Sequence, residues 1–191
     1  MDYKDFLGVS AALLNFVAYA GYFRGMFRGT VKPHVFSWFV WGVLTAIGYA
    51  AQVADGGGAG TWVTGISAVA CFIIAGFALR HGEKAITRSD WITFIGAMAA
   101  IPLWIATDSP LYSVLLITLI DAIAFWPTFR KAWSKPQEES VFTFAVSALK
   151  FGLGVIALGN ISMITAFYPL SLVVMNTVFV VVTVLRRRAL A

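Results

Sequence analysis

The last apolar run of the chain, residues 163–185, reads MITAFYPLSLVVMNTVFVVVTVL and is followed at once by Arg186, Arg187 and Arg188. A helix needs about 20 mainly apolar residues to cross the hydrocarbon core of a bilayer. Lysine and arginine collect on the cytoplasmic side of membrane proteins. The run therefore predicts a transmembrane helix whose C-terminal end lies in the cytoplasm.

Six further apolar runs of similar length precede this one. We place them at residues 6–23, 35–53, 61–80, 91–107, 110–127 and 141–158. The composition agrees, since 60% of the residues are hydrophobic and only 12% are charged, against about a quarter charged in soluble proteins. The sequence predicts an all-α integral membrane protein with seven transmembrane helices and no separate soluble domain.

The distribution of charge predicts the orientation of these helices. Alternate connections are basic and contain Arg24, Arg28 and Lys32, then Arg80, Lys84 and Arg88, then Arg130, Lys131 and Lys135. The connections between them contain Asp55, Asp108 or no charge. Seven helices with the N-terminus outside and the C-terminus in the cytoplasm fit this alternation. The net charge of +5 is thus a topology signal, and the expected partner is the lipid bilayer rather than nucleic acid.

An internal repeat becomes visible when the sequence is shifted by 106 positions. The shift aligns Phe23-Arg24 with Phe129-Arg130, residues 35–37 with 141–143, Gly48 with Gly154, Trp62 with Tyr168, Leu79-Arg80 with Leu185-Arg186, and Asn15 with Asp121. We divide the chain into a first three-helix repeat (1–88), a linker transmembrane helix (89–108) and a second three-helix repeat (109–191).

The single linker helix implies that the two repeats enter the membrane in the same orientation. Transporters with parallel repeats bind their substrate near the bilayer midplane, between the repeats. The repeat therefore predicts a transporter. One chain is sufficient for a complete pathway, and a homo-oligomer is also compatible with the sequence.

The second repeat resembles the SWEET / PQ-loop (MtN3-like) transporter superfamily. Residues 125–130 read FWPTFR and are followed by Lys135 and by Glu138-Glu139-Ser140. This is similar to the SWEET pattern of Pro-Thr, an aromatic residue, a basic residue and a downstream Lys-x-x-Glu. The three-one-three arrangement of helices is also similar, so the resemblance covers nearly the whole chain.

The resemblance implies alternating-access transport, with Pro127 as a hinge and Asn176 at the position of a pocket asparagine. The chain departs from the pattern at Gly21-Tyr22, where the family has Pro-Gln or Pro-Thr. Ala70 stands at the repeat position equivalent to Asn176, so a pair of pocket asparagines is missing. Lys150 is unusual for a sugar pathway. The superfamily also includes amino-acid exporters, vitamin transporters with related folds, and sorting receptors.

Asp121 and Lys150 are the ionisable residues that lie well inside the predicted spans. With a rise of 1.5 Å per residue, both lie roughly 12–14 Å from the same end of their helices. Charges at this depth are usually paired or face a wet cavity. We expect the two side chains to form an ion pair or to share one polar cavity. They serve either a substrate- or proton-linked site or a structural ion pair that sets the helix register.

Other polar and aromatic residues extend this candidate substrate pathway. Asn15 and Asn176 either bind a ligand or make hydrogen bonds between helices. Trp41, in an aromatic cluster with Trp38 and Phe36, either stacks on a ligand or belongs to the membrane packing. Trp126 is a candidate inner gate or an interfacial anchor, and Pro127 a hinge or a static kink.

Three functional classes are compatible with these features. The first is a transporter of a small polar solute (a sugar, an amino acid or a vitamin-like compound), which the repeat favours, with proton coupling left open. The second is a ligand-binding sorting receptor with the same fold. The third is a retinal protein with Lys150 as the Schiff base. No nucleophile–base–acid set is evident, and no enzyme activity, cofactor or metal ion is expected.

Overall fold

The computed structural model describes residues 2–105 and 109–190, without the side chains of residues 100, 101, 103–105 and 110. Within these residues the α-helices are α1 (Tyr3–Phe27), α2 (Val35–Ala54), α3 (Trp62–His81), α4 (Arg88–Ile105), α5 (Pro110–Ala124), α6 (Trp126–Ser134), α7 (Val141–Ile156) and α8 (Met163–Ala189). Short 3₁₀ turns, Gly58–Thr61 and Pro136–Glu138, precede α3 and α7. The all-α prediction is confirmed for this part of the chain. Asp108, predicted in an outer connection, lies outside the described residues.

Five described segments are long and apolar enough to cross a membrane. They are Tyr3–Phe27, Val35–Ala54, Gly58–His81, Leu111–Ser134 and Met163–Ala189. Val141–Ile156 is also apolar but shorter. This set of helices is consistent with a multi-pass membrane protein.

The largest difference from the predicted helix ends concerns the fifth run. It was predicted to end at residue 127, but the helical path continues beyond a turn at Phe125 as α6, as far as Ser134. Proline is well tolerated in the first turn of a helix, where its missing N–H has no intrahelical acceptor. Pro127 therefore lies at the start of a helix rather than at the end of one.

The helices pack as two similar groups. In the first half α3 packs against α1 and α2, and in the second half α8 packs against α5 and α7. Between the halves, α1 packs against α7 and α2 packs against α5, while α4 packs mainly on α5. The cavity described below lies where these two inter-half contacts meet.

The two termini lie at opposite ends of the helix bundle. The Lys4 ammonium donates to the carbonyl oxygen of Leu158 at 2.8 Å, in the connection between α7 and α8. At the other end, the Arg187 guanidinium donates to the carbonyl of Pro136 at 3.1 Å, in the connection between α6 and α7. We call these the Asp55 end and the basic end. The prediction that the basic end faces the cytoplasm stays a prediction.

Candidate functional site

A small cavity lies in the middle of the bundle, between the two groups of helices. Every described helix except α4 and α6 contributes to its wall, which includes Trp41, Thr45, Asp121, Phe144, Ser147 and Asn176. Its volume is about 40 Å³, which is room for about three water molecules. The wall combines aromatic rings with a few polar groups, as is common in ligand sites.

Lys150 lies beside this cavity in a cage of polar groups, and its side chain is fully buried. Its ammonium donates to Asn15 Oδ1 at 2.6 Å, to the Tyr19 hydroxyl at 2.9 Å and to Ser67 Oγ at 3.0 Å. The same nitrogen lies 4.2 Å from the centroid of the Tyr19 ring. A lysine ammonium has three N–H donors, so the cage uses all of them.

Asp121 lies in the cavity wall and makes few polar contacts. Its side chain is buried, with 1% of the residue exposed. Oδ1 accepts a hydrogen bond from the Tyr168 hydroxyl at 3.2 Å, and that hydroxyl lies 3.2 Å from Thr45 Oγ1. Oδ2 has no hydrogen-bond partner among the described residues. A buried carboxylate oxygen without a donor is costly, so this atom is ready to accept a ligand.

The expected ion pair between Asp121 and Lys150 is not formed. Lys150 on α7 reaches Asn15 and Ser67, on α1 and α3, whereas Asp121 on α5 reaches Tyr168 on α8. Their equal depth was predicted from position along each helix, but depth does not determine which neighbour a side chain faces. Asp121 lines the central cavity, and Lys150 reaches it only through Tyr19 and Ser67, which also line the wall.

The other predicted residues are found in different surroundings. Trp41 is buried in the cavity wall, and its Nε1 has no hydrogen-bond partner among the described residues. Asn176 also lines the cavity, and its amide donates to Leu172 in its own helix at 2.6 Å. Pro127 is buried at the start of α6, whereas Trp126 is 55% exposed and does not line the cavity. This position suits an interfacial anchor better than a gate.

Tyr19, Ser67, Thr45 and Tyr168 were not singled out from the sequence. Each has a polar group that is common in membrane helices, and neither spacing nor motif distinguishes them from Ser10 or Thr177. Among these four residues, the repeat drew attention only to Tyr168, which aligns with Trp62. Their roles depend on which helix faces them.

At the basic end of the bundle, the connection between α1 and α2 binds the connection between α6 and α7. The Lys32 amide donates to the Glu138 carbonyl at 3.1 Å, and the Lys32 ammonium pairs with Glu138 Oε1 at 2.6 Å. Lys131 lies beneath them, only 2% exposed, and binds Glu139 at 2.8 Å and the carbonyls of Lys32 and Glu138. Burial raises the pKa of Glu139, and Lys131 opposes this rise. We call this group the basic seal.

At the Asp55 end of the bundle, the connection between α2 and α3 binds the connection between α7 and α8. Ser162 Oγ donates to Asp55 Oδ2 at 2.5 Å, and the Asn160 amide donates to the Asp55 carbonyl at 3.1 Å. The Gly159 amide donates to the Gly57 carbonyl at 3.0 Å. Gly58 has a φ of +57°, which glycine adopts without strain. We call this group the Asp55 seal.

Gly48 permits the close approach that brings Tyr168 to Asp121. A Cβ atom at position 48 would lie 2.5 Å from Cδ1 of the Tyr168 ring. We therefore predict that Gly48→Ala displaces this ring and lowers the free energy of unfolding by about 1–3 kcal/mol. The matched control is Gly76→Ala in α3, where a Cβ would meet no atom within 4 Å. Unfolding in detergent measures both, and equal stability of the two variants would contradict the predicted clash.

Comparison of the chain with protein-family models, with curated proteins and with solved structures found no match. The resemblance to the SWEET / PQ-loop superfamily therefore stays a prediction from the motif at residues 125–140 and the three-one-three arrangement of predicted helices. Function has to be inferred from the cavity and from the seals at its two ends.

Proposed function

We propose that this chain is an alternating-access transporter of a small polar solute, in which seven helices form two parallel three-helix units and a linker. The observation that supports it best is the central cavity, which lies between the basic seal at one end of the bundle and the Asp55 seal at the other. Opening one seal at a time would connect the cavity with one side of the membrane and then with the other.

The positions of the seals support a two-fold relationship between the repeats. Lys32 and Glu138, which bind each other in the basic seal, are separated by the repeat shift of 106 residues. In the Asp55 seal, Asn160 and Ser162 flank Ile161, the residue that the same shift assigns to Asp55. A residue that contacts its own repeat equivalent lies near the axis relating the repeats. An axis through both seals would also pass through the cavity, as a transport path requires.

The packing of helices supports the same arrangement. The repeat shift relates α1 to α5 and α2 to α7. The contact between α1 and α7 should therefore have an equivalent between α5 and α2. Both contacts are present. The two helices outside the five long segments, α4 and α7, also fit a seven-helix protein. At 1.5 Å per residue, the 18 residues of α4 and the 16 residues of α7 extend about 27 Å and about 24 Å, and the connections at the ends of α7 extend its length.

Counterflow in proteoliposomes tests the proposed transport. A panel of labelled sugars, amino acids, amines and vitamins would be compared with and without a pH gradient, for the wild type and for Asp121→Asn. We expect flux of at least one solute and its loss in the variant, because Asp121 is the buried acid of the cavity. Saturable binding without flux of any panel member would instead support the sorting-receptor alternative.

Cysteine pairs at the two seals test alternating access itself. In a Cys71→Ala background, one variant has Lys32→Cys with Glu138→Cys, and the other has Asp55→Cys with Ser162→Cys. We expect oxidation of either pair to abolish counterflow and reduction to restore it, because each seal must open once in every cycle. The corresponding single-cysteine variants are the controls. Unchanged flux in a fully cross-linked protein would show that the solute does not pass that seal.

A further inference from the structure

We propose that the solute of this cavity is a small organic amine whose ammonium group binds Asp121 against the aromatic wall formed by Trp41 and Phe125. The inference rests on the proposed function for the movement of the solute, but the binding chemistry can be tested separately.

The cavity is poorly suited to an anionic ligand. Lys150 is its only nearby cation among the described residues of the cavity region, and Asn15, Tyr19 and Ser67 already accept all three of its N–H groups. A carboxylate or phosphate ligand would have to displace one of these buried contacts. The cavity therefore has no free cation with which to bind an acidic solute, and a zwitterion held between Asp121 and Lys150 is disfavoured.

The cavity is better suited to a cationic ligand. Asp121 Oδ2 is buried in the wall without a hydrogen-bond donor among the described residues. An ammonium ligand would supply that donor together with the opposite charge. Hydrogen bonds between ionised partners are roughly twice as strong as those between neutral groups. A neutral hydroxyl would supply a donor but would leave the charge of the carboxylate uncompensated.

The repeat provides an internal precedent for this arrangement. In the first half, Asn15 accepts the ammonium of Lys150 beside the Tyr19 ring. The shift of 106 residues relates Asn15 to Asp121 and Tyr19 to Phe125, but it relates Lys150 to Leu44. The second half thus keeps the acceptor and the aromatic ring but lacks the ammonium. We infer that the ligand supplies it.

Two aromatic rings share the cavity wall with Asp121. Trp41 and Phe125 both line the cavity, and their ring centroids lie 4.5 Å apart. The faces of aromatic rings attract organic cations, with the strongest attraction at tryptophan. Trp41 Nε1 also lacks an acceptor among the described residues, so a ligand oxygen close to the amine would satisfy it. An amino alcohol combines both groups.

The size of the cavity restricts the ligand. The volume of the cavity is about 40 Å³, which corresponds to about three or four non-hydrogen atoms. Ethanolamine has this size, an ammonium group and a neighbouring oxygen. We therefore use it as the probe, with ethylene glycol as the neutral analogue of similar shape and glycolate as the acidic one.

Saturable binding of radiolabelled ethanolamine to the purified protein in detergent tests the inference without requiring transport. We expect unlabelled ethanolamine to compete at least about tenfold better than ethylene glycol or glycolate. Asp121→Asn should weaken binding at least about tenfold. Trp41→Phe, which keeps a ring but removes the N–H, should weaken it about threefold to tenfold. The control is Asp5→Asn, in the first turn of α1 and away from the cavity, which should bind as the wild type does.

The outcomes separate this inference from the proposed transport. Binding of ethanolamine without counterflow would support the amine site and contradict the proposed transport. Counterflow of a sugar or an acid by a protein that does not bind ethanolamine would support the proposed transport and contradict the amine site. Equal competition by ethylene glycol, or unchanged binding by a folded Asp121→Asn variant, would also overturn it. Gel filtration of each variant distinguishes weak binding from misfolding.

Discussion

Replacing Asn15 with leucine is expected to lower the free energy of unfolding by about 3–5 kcal/mol. Asn15 Oδ1 is the nearest acceptor of the Lys150 ammonium, at 2.6 Å, and it also accepts from Ser67 Oγ at 2.8 Å. Leucine has a similar size but no acceptor, so the variant leaves a buried charge with incomplete solvation. Removing one partner of a buried charge is among the most destabilising single changes. Titration with sodium dodecyl sulfate measures the effect.

A second substitution, at Lys150, tests whether the buried charge causes this loss of stability. Methionine at position 150 keeps the length of the side chain and removes the charge. The double variant Asn15→Leu with Lys150→Met should therefore recover more than about half of the loss, because no ammonium remains to be solvated. A double variant that is less stable than Asn15→Leu alone would contradict this explanation. Asn176→Leu is the matched control, with an expected loss of about 1 kcal/mol, since its amide donates only within its own helix.

Replacing Lys131 with methionine is expected to destabilise the basic seal by a similar amount, about 3–5 kcal/mol at pH 7. The Lys131 ammonium binds Glu139 and the carbonyl groups of Lys32 and Glu138. Its loss leaves the Glu139 carboxylate buried without its cation. The matched control is Lys32→Met, which removes a partly exposed ion pair and should cost less than about 1 kcal/mol.

The pH dependence of the Lys131→Met variant provides an independent check. Burial already raises the pKa of Glu139, and the loss of Lys131 should raise it further. An acid whose pKa is raised in the folded state binds more protons there than in the unfolded state. The free energy of unfolding therefore falls as the pH rises from the pKa of the unfolded state to that of the folded state. The deficit of the variant should therefore become smaller as the pH is lowered from 7 towards 5. A deficit that is independent of pH would assign the loss to packing rather than to Glu139.

Several features of the fold were predictable because they depend on local sequence alone. The run at 35–53 lies between Lys32-Pro33 and Gly56-Gly57-Gly58, and α2 extends from Val35 to Ala54. The first run was predicted to end at residue 23, but α1 continues to Phe27. A single arginine at position 24 does not end a helix, because its long side chain reaches the surface while its backbone stays helical.

The contents of the candidate site were predictable only in part. A polar residue inside an apolar run is conspicuous, so Asn15, Asp121, Lys150 and Asn176 were all found. The hydroxyl partners were not, because serine, threonine and tyrosine occur in many membrane helices without a ligand. The expected ion pair was wrong for a related reason: charge and depth can be read from a sequence, but the direction of a side chain around its helix depends on packing.

Composition and hydropathy along the chain are sufficient to predict that it is helical and apolar enough for a membrane, and which charged and amide side chains lie within its spans. Periodicity and hydropathy are properties of one helix at a time. The packing of the helices against each other was needed to show that α7 brings Lys150 to a cage on α1 and α3, while α5 brings Asp121 to a cavity wall. Which helices become neighbours depends on close packing, such as that between Gly48 and Tyr168. That choice leaves Lys150 with all its donors used and Asp121 with an oxygen free to accept a ligand.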